Sequence, residues 1–228
     1  MNPASAASPP RISAPEVSPP SPSDVRRLFA TAEERDPDFA TFVLLAAATG
    51  ARRNEQVALR WSNLNLSKGQ LQIGRGIVRG RDGLIEKDTK THSVRRVSLD
   101  PTTVAVLRTH RARAEQRVEL CGETLPVDAF VFGNEVDGSL PWQPESVSRT
   151  FTVLCRRAGV KGVRLHDLRH YVATRLLSSG VDVRTVAGRL GHRNAATTLN
   201  VYSHFLPEAD REAAEVLGRL FDETADLK

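Results

Sequence analysis

Apolar positions near the start of the chain recur at helical spacing. Val25, Leu28 and Phe29 form a stripe behind Ser21, a hydroxyl residue suited to cap a helix with Pro22 first and Asp24 third. A second, almost unbroken apolar segment covers residues 39–48 and stops at Thr49-Gly50; residues 52–61 then resume with Val57, Ala58 and Trp61 in helical register. On that helix Arg52 and Glu55 lie three apart, on one face. From Leu64 to Leu99 the period changes to two, through Leu66, Leu71, Ile73, Ile77, Leu84, Ile85, Val94 and Val97, with turn residues at Lys68-Gly69 and Arg81-Asp82-Gly83. That alternation predicts a small antiparallel sheet of about three strands. Helical spacing returns over residues 102–120, with Val104, Leu107, Ala114 and Val118 as the stripe, and a short strand follows at 130–132. Further helices are predicted over 145–158, 167–179 and 183–190, the last two stopped by Gly180 and Gly191, then a short one at 199–202 and a terminal one from Glu208, after Pro207. The pattern is that of an α+β domain, mostly α-helical, with the small three-stranded antiparallel sheet near its N-terminal end.

Residues 1–22 differ from the rest, with Pro3, Pro9, Pro10, Pro15, Pro19, Pro20 and Pro22 set among Ser and Ala and little to bury. They read as a disordered tail or linker, which leaves residues 23–228 as one domain. Hydrophobic residues at 40% and charged residues at 26% suit a globular chain with a proper core. The longest apolar run, residues 42–48, falls far short of the roughly 20 residues a membrane span needs. Met1 is followed by Asn, Pro, Ala and Ser rather than a cationic and then apolar leader, so the chain is expected in the cytoplasm. Cys121 and Cys155 are too few for a disulfide framework or a Cys-rich zinc site, and both are expected as small buried hydrophobes.

Charge is unevenly spread. The net charge is +5, yet residues 49–117 hold 15 Lys and Arg against 6 Asp and Glu, while residues 203–228 hold 3 against 7. A clustered cationic surface attracts polyanions, nucleic acid first among them.

The densest chemistry lies in Leu165-His166-Asp167-Leu168-Arg169-His170. In a helix His166 and Arg169 project from one face, while Leu165, Leu168 and Val172 pack. An imidazole beside a guanidinium suits an anion that must also exchange protons. His166 and His170 have the spacing of two zinc ligands, but Asp167 stands where a metalloprotease has Glu, and Arg169 within the pair repels a cation, so no metal is expected. Gly74-Arg75-Gly76 lacks the Lys-Ser/Thr of a phosphate-binding loop.

The stretch HDLRHYVATRLLSSGVDVRTVAGRLGHRNAATTLNVYSH, residues 166–204, resembles the signature of the tyrosine recombinase (phage integrase) family: a His-x-x-Arg, a Gly-Val-Asp turn, a Leu-Gly-His, and a Tyr ten residues beyond. TGARRNEQVALRW resembles the segment around the family's first active-site arginine, and TKTHSVRRVSL the hairpin carrying its lysine. The resemblance spans residues 21–221. It implies the tyrosine recombinase catalytic-domain fold, a cofactor-free enzyme, and double-stranded DNA as partner. It implies catalytic roles for Arg52, Lys90, His166, Arg169, His192 and Tyr202. Tyr202 is the expected nucleophile, Arg52 and Arg169 offer forked donors to a phosphate, and Lys90 is the acid for the leaving oxygen. His166 is expected to help move the tyrosine proton and His192 to hydrogen-bond the phosphate. Lys87, Arg95 and Arg96 compete with Lys90 for its strand role, and Glu55 is expected to orient Arg52. Arg53, Arg75, Arg79, Arg81, Arg95 and Arg96 are expected to contact the DNA backbone.

Family members carry an N-terminal core-binding domain that closes over the far side of the duplex, and here a Pro-rich tail stands in its place, so that domain is expected to be absent. The single chain is expected to be monomeric, with a tetrameric synapse on DNA for a full-length form. A non-catalytic DNA-binding remnant and a type IB topoisomerase-like relaxing enzyme are the alternative readings.

Overall fold

The structure, a computed structural model, describes residues 19–88, 94–192, 194, 196 and 198. Helix α1 (Pro22–Glu33) begins at a capping box, with the Ser21 hydroxyl accepting the Asp24 N–H at 3.1 Å and the Asp24 carboxylate accepting the Ser21 N–H at 3.0 Å. Pro22 therefore belongs to the folded domain rather than to the tail. Helix α2 (Pro37–Thr49) is apolar on nearly every side, and such a helix must be surrounded. It is: α1, α4 (Pro101–Glu119) and α6 (Asp167–Ser178) all pack on it. Phe42, Val43 and Leu45 are completely buried there, and Phe42 meets the rings of Phe132 at 5.0 Å and Trp142 at 5.8 Å. Helix α5 (Pro144–Arg157) packs on α1, and α7 (Val183–Leu190) packs on α6.

Four expectations are corrected. The helix predicted over 52–61 is α3 (Arg53–Val57), followed by a 3₁₀ turn at Trp61–Asn63. It stops early because residues 59–61 pair sideways: Val131 donates to the Leu59 carbonyl at 2.8 Å, and Trp61 to that of Ala129 at 3.0 Å. For the same reason residues 130–132 form no strand, only an isolated bridge between Arg60 and Phe130. The single sheet is two. Strands β1 (Leu64–Asn65), β2 (Gln70–Ile73) and β5 (Arg95–Ser98) form one antiparallel sheet in the order β1-β2-β5, while β3 (Arg75–Arg79) and β4 (Leu84–Asp88) form a separate hairpin. Only Gly74 separates β2 from β3, and β3 leaves the sheet to lie against α3, where a side chain at Gly76 would stand 3.5 Å from the Asn54 carbonyl. Of the two cysteines Cys155 is buried as expected, but Cys121, just past the end of α4, is exposed.

The helices predicted over 102–120, 145–158, 167–179 and 183–190 are α4 to α7, with ends shifted by at most one residue. No helix among the described residues is long and apolar enough to cross a membrane. The helices predicted at 199–202 and from Glu208 lie outside the described residues.

Candidate active site

The site is built on the turn between α2 and α3. Gly50 caps α2 at a φ of 64°, and a Cβ there would stand 2.4 Å from Leu190 Cδ2 and 3.4 Å from Val172 Cβ. Glycine allows both the left-handed backbone and the close approach of α6 and α7. The Gly50 carbonyl accepts a hydrogen bond from Arg169 Nη1 at 2.7 Å. Arg169 is 4% exposed, and the negative end of α2 helps to hold its charge there. Arg189 Nη2, from α7, reaches the Ala48 carbonyl of the same helix end at 2.9 Å and the Ser98 carbonyl of β5 at 3.1 Å.

Arg52 is the cap residue of α3. Its backbone N–H donates to Glu55 Oε2 at 2.9 Å and its Nη1 to Oε1, also at 2.9 Å, while the side chain stays 43% exposed. Glu55 thus orients Arg52, as its place in the third position of the helix implies. The Glu55 side chain is 6% exposed and holds a second guanidinium, that of Arg95, with Nη1 at 3.1 Å from Oε1 and Nη2 at 2.6 Å from Oε2. Burial works to raise the Glu55 pKa, but the Arg95 hydrogen bond and charge, with those of Arg52, hold it below the ordinary range.

His166 immediately precedes α6 and is open to solvent, with its ring edge-on to that of His170 at 5.1 Å. Desolvation by the surrounding protein, then the neighbouring His170 and Arg169, push its pKa down to about 4. His192 follows the left-handed cap Gly191, and its N–H donates to the Ala187 carbonyl at 2.9 Å. Its Nδ1 lies 2.8 Å from the Thr198 hydroxyl, and Thr198 is fully buried. Burial, then the charges of Arg169, Arg52 and Arg95, lower the His192 pKa to about 4. Both imidazoles therefore sit, neutral, in the field of the same two arginines.

Arg52 and His166 open onto a groove of about 430 Å³, lined also by Arg53, Asn54, Ser148 and Arg164. Arg53 is braced in its wall by Nη1 on Ser148 Oγ at 2.7 Å and Nε on Asn54 Oδ1 at 3.0 Å. Arg79, Arg81 and Arg96 are exposed, and Arg75 is exposed beside Glu86, 3.4 Å away. Arg95 stands apart from this set: its side chain is 10% exposed and turned into the protein onto Glu55. Strand alternation carried the signal: Arg95 shares a face with Val97, which is 1% exposed. Arg189 and Thr198 are further members of the site with no sequence signal, since only tertiary packing brings them in. Lys90 and Tyr202 lie outside the described residues.

This geometry accompanies a match of residues 21–208 to the model of the phage integrase family. The chain belongs to that family. It is 31% identical over 195 residues to a XerC-like tyrosine recombinase of Caldanaerobacter subterraneus subsp. tengcongensis, a match covering 78% of this chain and 48% of the relative. The integrase of the element ICEBs1 from Bacillus subtilis is 28% identical over 183 residues, covering 80% of this chain and 49% of its own. The chain spans about half the length of these curated relatives. Its fold is that of the Tn1549 transposon integrase, solved in complex with transposon right end DNA, at a TM-score of 0.71 and 19% identity over 88% of this chain and 66% of that one.

Proposed function

We propose that this phage integrase family domain is the catalytic domain of a site-specific DNA recombinase, which cuts and rejoins double-stranded DNA through a covalent 3′-phosphotyrosyl intermediate without metal or cofactor. The observation that carries the reading is that Arg52 and Arg169 act on the same two neutral imidazoles, those of His166 and His192, with Arg52 and His166 opening onto one groove. A phosphodiester beside Arg52 and His166 would be held by the Arg52 guanidinium on its non-bridging oxygens, with the Arg169 guanidinium assigned to the same phosphate, and the two together stabilise the charge of the pentacoordinate state. When the Thr198 hydroxyl donates to His192 Nδ1, Nε2–H is left as a further donor to the phosphate. In the reaction the Tyr202 oxygen attacks phosphorus, its proton passes to His166, the bond from phosphorus to the 5′ oxygen breaks, and Lys90 protonates that oxygen. The phosphotyrosine bond conserves the energy of the broken linkage, so a 5′ hydroxyl from another strand reverses the step. Arg53, Arg75, Arg79, Arg81 and Arg96 hold the flanking backbone. The domain works in the cytoplasm and is monomeric alone, and a full-length form joins a tetrameric synapse on DNA.

A pool of nicked duplexes of varied sequence, in which the cut strand diffuses away, tests this. Wild-type chain should accumulate a protein–DNA adduct stable to denaturation, and Tyr202→Phe should form none. Salt-sensitive binding without any adduct would instead leave a DNA-binding remnant, and an adduct in the Phe variant would unseat Tyr202 as nucleophile.

A further inference from the structure

Arg95 has three nitrogens and three acceptors on two separate elements. Nη1 and Nη2 take the two oxygens of Glu55 on α3, at 3.1 and 2.6 Å, and Nε donates to the Arg189 carbonyl near the end of α7 at 3.0 Å. The guanidinium lies flat against the α7 cap, since a Cβ on Gly191 would stand 2.8 Å from Arg95 Nη1 and 3.1 Å from Cζ. Arg189 closes the loop by donating to the Ser98 carbonyl, so β5 and α7 are tied in both directions. Arg52 and His192 hang from the two ends of this clamp: Arg52 on Glu55, and His192 one residue past Gly191.

The geometry points to Arg95 as a positioning residue that fixes Arg52 and His192 relative to each other and frees Arg52 for the phosphate. Its effect on Arg52 is electrostatic as well as steric. Glu55 bears one negative charge that is almost wholly buried, and with Arg52 as its only cation it would compete with DNA for that guanidinium. Arg95 satisfies the carboxylate from the inner side, so the exposed part of Arg52 faces the groove unclaimed. The fork is essential to this role. A lysine carries one ammonium, which can neutralise Glu55 but cannot span both its oxygens and the Arg189 carbonyl.

The inference rests on Arg52 and His192 meeting a phosphate, so its test has one arm that requires cleavage and one that does not. With the nicked-duplex pool, Arg95→Met should slow single-turnover adduct formation about 10²-fold, the scale of a misplaced catalytic group, while duplex affinity stays within about threefold. Arg95→Lys should regain at most a tenth of the lost rate. In the DNA-free chain, Arg95→Met should shift the amide resonances of both Arg52 and Gly191–His192 and speed amide exchange at His192, whereas Arg111→Met, on the far helix α4, should leave them in place. Cleavage within threefold of wild type, or a resonance change confined to Glu55, overturns the inference. If wild-type chain forms no adduct at all, the recombinase reading falls and the amide measurements alone decide the role of Arg95. Should Arg95→Met fail to fold, Arg95→Lys, which keeps the charge, carries both measurements.

Discussion

Histidines in this site stay neutral well below the pH at which they would protonate in water. His166 and His192 share the field of Arg52 and Arg169, and each is pushed down to about 4 from an ordinary 6.5. His170 is lowered as well, by burial first. A neutral His166 suits the proposed chemistry, since an imidazolium could not accept the proton of a tyrosine. The arrangement has a cost in acid. Between pH 6.5 and 4 the unfolded chain binds protons at these positions that the folded chain does not, so stability rises with pH through that window and is flat above it. Denaturant melts at pH 4.5, 5.5, 6.5 and 7.5 should follow that course. In the His166→Gln/His192→Gln double variant the slope between pH 4.5 and 6.5 should shrink by up to two protons' worth. An unchanged slope would mean that the two imidazoles titrate normally in the folded state.

At the scale of elements, the site depends on how α2 is held, and one carboxylate does much of this. Asp38, in the first turn of α2, accepts from His110 Nδ1 at 3.0 Å and Arg113 Nε at 2.9 Å and forms an ion pair with Arg117 Nη1 at 2.9 Å, all three on α4. Burial opposes ionisation, but these partners hold Asp38 well below the usual carboxylate range. His110 carries the link onward, with Nε2 2.7 Å from the Val131 carbonyl and its ring against Phe132 at 5.4 Å. Asp38→Asn keeps the shape and removes the charge, so it should destabilise the fold by about 2 kcal/mol, a typical value for charged hydrogen bonds lost from a half-buried site. Urea unfolding would measure it, and a loss under about 0.5 kcal/mol would reduce the cluster to a surface ion pair. The helices were legible in the sequence because a cap such as Ser21 and stops such as Gly180 and Gly191 are local signals, and so was the cluster from His166 to His192. Period-two alternation specified strands without saying which neighbour each would choose, so β3 leaving its sheet for α3 was not legible. Glu55 was legible as a partner of Arg52 because both lie on one short helix. Its bond to Arg95, forty residues on, was hidden because an arginine in a basic stretch reads as surface until the inward face of its strand is known.

At the scale of the whole molecule, charge distribution matters more than net charge. The chain carries +5, yet residues 49–117 hold an excess of 9 cations, shared among the segment from α3 through the β3–β4 hairpin to β5 and helix α4. Arg79, Arg81 and Arg96 are exposed there, outside the ion pairs that brace the groove. If they meet DNA phosphates, each releases counterions and adds about 0.9 to the slope of log affinity against log salt. Replacing all three with Ala should lower that slope by about 2.7 and weaken binding by a similar factor on every duplex tested, because backbone contacts carry no sequence information. Fluorescence anisotropy with two unrelated duplexes between 50 and 200 mM salt would read both quantities. A slope that does not move would separate these arginines from the DNA-facing surface, and a loss confined to one duplex would make them readers of sequence rather than anchors of the backbone.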